Sequence, residues 1–193
     1  HRLTNRPSGR ADARRLTPAL EIMDTDPLAE HVKEVYANFG LAIYQAQCLE
    51  HGIVNAMVFL DLIPNQRTLA KSASEWAVLV DSFMDSKFEL TLGKMIRALK
   101  ELTPVDPLLQ EQLAGALAKR NWLAHHYFRE RAETFLTQVG RDSMLSELEA
   151  AQAIFSQADS ALDAAVRPAR ERAGLGDAGL AAAYAKLRVE VGE

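Results

Sequence analysis

Cysteine is almost missing from this 193-residue chain: Cys48 stands alone. A single thiol excludes a disulfide framework and a cysteine zinc cluster, and suits a reducing compartment. Glycine (10) and proline (7) are too few for a collagen-like or linker protein. Aromatic residues make up only 7%, while alanine, leucine, glutamate and glutamine are abundant, which leans the chain towards helix. Long apolar runs are also lacking. The most apolar stretch, residues 53–63, is interrupted by Asn55 and Asp61 and is too short to span a bilayer. With 48% hydrophobic and 25% charged residues, the composition is that of a soluble globular protein with a sizeable core. The expected location is cytoplasmic, with no membrane partner.

Charge of one sign does not dominate, but it is unevenly placed. The net charge is −4. Residues 1–20 carry Arg2, Arg6, Arg10, Arg14 and Arg15 against Asp12, a local +4 that leaves −8 for the rest. An acidic body argues against broad, non-specific nucleic-acid binding. We read residues 1–25 as a basic arm, 26–170 as a helical body and 171–193 as a link with a short helix.

No segment alternates apolar and polar residues for long enough to predict a strand, and no solenoid repeat is present. Helical spacing is everywhere. Asp26-Pro27 reads as a cap and first helical residue. The stripe Val35, Phe39, Ala42, Ala46, Leu49, Ile53, Ala56 and Leu60 then predicts one helix to about Leu62, stopped by Pro64-Asn65. Ser72 and Glu75 form a capping box for a second helix to about Ser86. A short helix is expected over Leu92–Leu102. Asp106-Pro107 starts a third long helix reaching about Arg131. Gly140 closes a short segment, and Asp142 caps a fourth long helix ending near Arg167-Pro168. A terminal helix is expected over residues 178–189. The fold class this predicts is all-α, an antiparallel up-and-down four-helix bundle with extra short helices.

The third helix carries the chemistry. With residues about 100° apart on a helical wheel, Leu109, Leu113, Ala116, Leu117, Leu123, Ala124 and Tyr127 fall within an arc of roughly 120°. Arg120 interrupts that apolar arc. Asn121 and His125, one turn apart, stack just beyond its edge. A guanidinium cannot be neutralised and is expensive to bury unpaired. It therefore meets either a core carboxylate, for which Glu50 is the candidate, or a ligand anion.

The run Arg120-Asn121-Trp122-Leu123-Ala124-His125-His126-Tyr127 resembles the signature of the HEPN superfamily: an arginine, a polar residue that is often asparagine, variable residues, then histidine. It also fits the longer form, Arg-x4-His-x-Tyr, of HEPN toxins paired with minimal nucleotidyltransferase antitoxins. The resemblance covers roughly residues 27–167. It implies a metal-independent endoribonuclease without cofactors, acting as a homodimer whose two motifs meet across a symmetric cleft. RNA is the implied substrate, and a 2′,3′-cyclic phosphate the implied product. Arg120 and His125 are the implied catalytic residues, with Asn121 supporting them. The resemblance further suggests a toxin or defence effector restrained by a nucleotidyltransferase-type antitoxin or another inhibitor.

Tyr127 has two readings: a hydroxyl that accepts AMP from such an antitoxin, or a core aromatic. His126 is a secondary candidate on the polar face, and Trp122 an interface anchor. The alternative function is a non-catalytic helical module that binds a nucleotide or protein in the same groove. Other motifs carry less. Gly174, Gly176 and Gly179 match G-x-G-x-x-G by letter but follow a polar segment, not a strand, so they read as a helix stop and restart. Neither His125 nor His51 has the Glu three residues earlier that a di-iron bundle requires. His31 and Glu34 share a face and read as surface residues. Cys48 reads as a packing residue.

Overall fold

Asp26 caps the first helix, its carboxylate accepting the Leu28 N–H at 3.0 Å with Pro27 following. A proline there gives up only an N–H that has no helical partner. In the computed structural model, which describes residues 26–190, helix α1 (Pro27–Met57) then runs for 31 residues and buries Val35, Ala42, Ala46, Leu49 and Ile53 on one face. The predicted arm, residues 1–25, lies outside the described residues.

The expected stop at Pro64 does not occur. Val58–Leu62 forms a π-turn in which the Ile63 N–H returns to the Val58 carbonyl, and α2 (Ile63–Gln66) carries Pro64 in its first turn. A proline lacks a donor and its ring clashes with the carbonyl four residues back. The wider i→i+5 turn displaces that carbonyl and lets the helix continue. Pro27–Leu69 is long enough, and contains an 18-residue window of mean hydropathy 1.2, to meet the composition of a membrane span. The apolar stripe of α1 is nevertheless spent on the core.

Helix α3 (Ala73–Phe88) opens on the predicted capping box: Ser72 Oγ accepts the Glu75 N–H at 3.1 Å, and Glu75 accepts the Lys71 N–H at 2.7 Å. It buries no residue. The shorter α4 (Leu92–Leu102) buries Leu92, Met95, Ile96 and Leu99, each contributing about 1.5–3 kcal/mol of apolar burial. The core is therefore shared by α1, α4, α5 (Pro107–His125) and α7 (Gln138–Arg172), with α3 at its edge.

Two further boundaries differ from expectation. Helix α5 stops at His125, and a single turn, α6 (Tyr127–Glu130), follows it. Helix α7 starts earlier than Asp142, capped by Thr137, whose hydroxyl accepts the Gly140 N–H at 3.1 Å. Gly140 is needed inside that first turn because a Cβ there would overlap the Thr134 carbonyl oxygen. Asp142 instead pairs with His31 at 3.1 Å. His31 is thus no surface residue: its Nδ1 accepts from the buried Arg141 at 3.3 Å. Helix α7 continues through Pro168 to Arg172, and α8 (Asp177–Glu190) ends the described chain.

The described residues are all-α. The pairs His31–Arg141 and Asn38–Gln152, with Gly52 facing Asp159, run α1 and α7 parallel. Contacts of Glu50 with Arg120 of α5 and of Phe39 with Tyr127 of α6 run α5 and the turn that follows it against α1. Neighbours along the chain alternate in direction, but a simple antiparallel order of four long helices does not hold. The pass made by α4, beside that of α3, puts an even number of reversals, four, between α1 and α7, which leaves the two longest helices parallel.

Candidate functional site

Helix α5 begins where Asp106 accepts the Leu109 N–H at 3.0 Å. It turns Leu109, Leu113, Ala116 and Leu123 into the core. That face fixes where Arg120, Asn121 and His125 go. Arg120 emerges at the edge of the core beside α1, its Nε 3.4 Å from Glu50 Oε1. Its Nη1 donates to Asn121 Oδ1 at 3.3 Å. The Arg120 side chain is 35% exposed and that of Glu50 19%. The guanidinium is steered by a carboxylate without being sealed away, so the pairing expected of a core arginine and the access expected of a ligand-binding one are both present.

Asn121 and His125 are exposed. No hydrogen bond or ring contact joins Arg120 to His125 among the described residues, as their separation of about 140° around one helix requires. His125 and His126 lie with ring centres 6.3 Å apart. His126 Nδ1 lies 3.0 Å from Arg129 Nη2. Because a guanidinium only donates, this contact makes Nδ1 the acceptor and puts the proton of the neutral ring on Nε2. Arg129 is a neighbour that sequence reasoning missed, although its position three residues after His126 was a usable signal.

The helix breaks at His126, with φ −129° and ψ −27°. Three contacts hold the break. Trp122 Nε1 donates to Glu130 at 2.9 Å across it. Arg131 forks onto Glu147 of α7 at 2.8 and 2.6 Å. The Tyr127 hydroxyl donates to the Met144 carbonyl at 3.1 Å. Trp122 is also covered by Lys119, whose Nζ lies 4.5 Å from the ring centre, and by Arg131 at 5.3 Å. It serves the chain's own packing rather than standing free as an anchor.

Tyr127 is a core aromatic, 1% exposed and stacked on Phe39 at 5.7 Å. Loss of water, reinforced by Glu147, pushes its hydroxyl well above the ordinary tyrosine range. Modification of that oxygen would first require this part of the chain to open, which weighs against the AMP-acceptor reading.

The arrangement offers an anchored cation, an amide and two imidazoles on an accessible helix end. That set can hold a phosphate, and its imidazoles are of the side-chain type used to accept and donate protons in catalysis. No group of three or more His, Cys, Asp or Glu side chains among the described residues is placed to hold a metal. No family model matches the chain, and neither a curated protein nor a solved structure shows significant similarity to it.

Proposed function

We propose that the protein is a metal-independent endoribonuclease of HEPN type that acts as a homodimer, a cytoplasmic toxin or defence effector under the control of a partner. In this reading α1, α4, α5 and α7 form the four-helix bundle of the domain, and α3 is an addition to it. The observation that carries the proposal is Arg120, held at its Nε by Glu50, backed by Asn121 and still one-third exposed on the helix that presents His125.

One chain's His125 and Arg120 do not converge, whereas two copies across a twofold axis supply two imidazoles and two guanidinium groups. One imidazole takes the proton of the ribose 2′-hydroxyl as its oxygen attacks the adjacent phosphorus. The other gives a proton to the departing 5′-oxygen. Arg120 places its fork against the charge that grows on the phosphoryl oxygens. The products are a 2′,3′-cyclic phosphate and a 5′-hydroxyl. Because Tyr127 is buried, a partner that masks the exposed face of α5 fits better than one that modifies this residue.

Incubation of the pure protein with several RNAs in EDTA tests the proposal. Cleavage with cyclic phosphate ends is expected, abolished by Arg120→Ala and by His125→Ala while helical content and self-association persist. Cleavage that survives either substitution removes the assignment. The remaining exposure of Arg120 beside Glu50 favours one second reading, a non-catalytic module in which Arg120 anchors a nucleotide or protein. Tight ligand binding with no cleavage of any RNA would select it.

A further inference from the structure

A cleft of about 820 Å³ lies where α1, α3, α7 and α8 meet, a volume suited to a small organic molecule. Its outer wall exists because of the glycine-rich link. Gly174 takes φ 80° and the Leu175 N–H returns to the Arg170 carbonyl at 3.0 Å, closing α7 with a Schellman turn. Arg170 then pairs with Asp163 of α7 and Asp177 of α8, which holds Leu180 and Tyr184 over the cleft. Phe59, from the π-turn, lines another side.

Asp159 reaches this cleft half-buried. One turn away, Asp163 has both Arg167 and Arg170, yet no hydrogen bond or ion pair holds Asp159 among the described residues. Gly52 makes room for its carboxylate: a Cβ at position 52 would come within 2.6 Å of Asp159 Oδ1. Loss of water, and then the charge of Asp163, raise the Asp159 carboxyl above the ordinary range. An unpaired carboxylate kept partly out of water is unfavourable unless a cation arrives to join it, and aromatic faces nearby attract the same charge.

We propose that this cleft binds an organic cation, an ammonium group on an apolar or aromatic body, with Asp159 as its counter-ion and the rings of Phe59 and Tyr184 against the body. The site is separate from Arg120 and does not depend on the ribonuclease reading.

Cys48, the sole thiol of the chain, also lines the cleft and reports its occupancy. The full chain is titrated with dansylcadaverine and with its N-acetylated, uncharged analogue, following fluorescence and protection of Cys48 from a thiol reagent. The amine is expected to bind, to protect Cys48, and to bind at least tenfold more tightly than the analogue. Asp159→Asn should erase that preference, and Arg120→Ala should leave it unchanged. No binding up to millimolar amine, equal binding of both probes, or an undiminished preference in Asp159→Asn would overturn the proposal.

Discussion

Glu50 and His51 are consecutive on α1, yet they face two differently built sites. Glu50 meets a cation on α5, partnered and one-third exposed. His51 lines the cleft that contains Asp159, a carboxylate that is half-buried and lacks a partner. The first site spreads its charge over an open helix end, a shape that suits a polymer. The second sets one unpaired carboxylate beside the Asp163–Arg170 pair in a cleft partly walled by apolar and aromatic side chains, a shape that suits a small molecule. Position around one helix, not separation along the chain, divides the two.

If the two sites are distinct, a change at one must leave the other alone. The largest effect is expected from Arg120→Ala, which should lower RNA cleavage at least about a hundredfold, the scale of losing one charge-stabilising group. Asp159→Asn should leave that rate unchanged, and gel assays of both variants in EDTA check the contrast.

Gly140→Ala comes next. The added methyl meets a backbone carbonyl that cannot rotate away, so destabilisation of about 1–3 kcal/mol is expected. Calorimetry should record a fall in Tm of about 2–4 °C for each kcal/mol, and cation binding at the distant cleft should persist in the folded protein at lower temperature.

Asp159→Asn should itself raise Tm at neutral pH. The folded protein holds the Asp159 proton more tightly than the unfolded chain does, so its contribution to stability is present at low pH and is lost as pH rises through the elevated carboxyl range. The gap between variant and parent should therefore open with rising pH and close in acid, as followed by thermal melts across that range. The smallest effect is expected from Glu50→Gln, within about 1 kcal/mol because its ion pair is partly exposed. A melt that shifted further would mean that Arg120 is more structural than its exposure implies.

Much of the fold was legible because caps and apolar spacing are local signals. Asp26-Pro27, the Ser72–Glu75 box, Asp106-Pro107 and the bounds Leu92–Leu102 all stand as read. The rest was written in contacts between distant residues. Thr137 and Asp142 are both suitable caps, and the Gly140–Thr134 approach decides between them in space. Helix α3 has the better opening signal and α4 the better buried face, since a cap says where a helix begins and nothing of what covers it. At the site, the Glu50–Arg120 contact was foreseeable from a cation in an apolar arc. The break at His126 was not, because Trp122 and Glu130 meet only once the helix has already stopped. Asp159 was hidden for a similar reason: the arginines that neutralise Asp163 and pass it by are distinguished by geometry alone.

The parallel course of the two longest helices carries a mechanical consequence. A force applied between Pro27 and Arg172 would drag α1 and α7 past each other along their shared seam, loading the interlocked side chains together instead of peeling them one by one. Under such a pull the domain should resist rupture as a lap joint does, with its strength set by the length of the overlap.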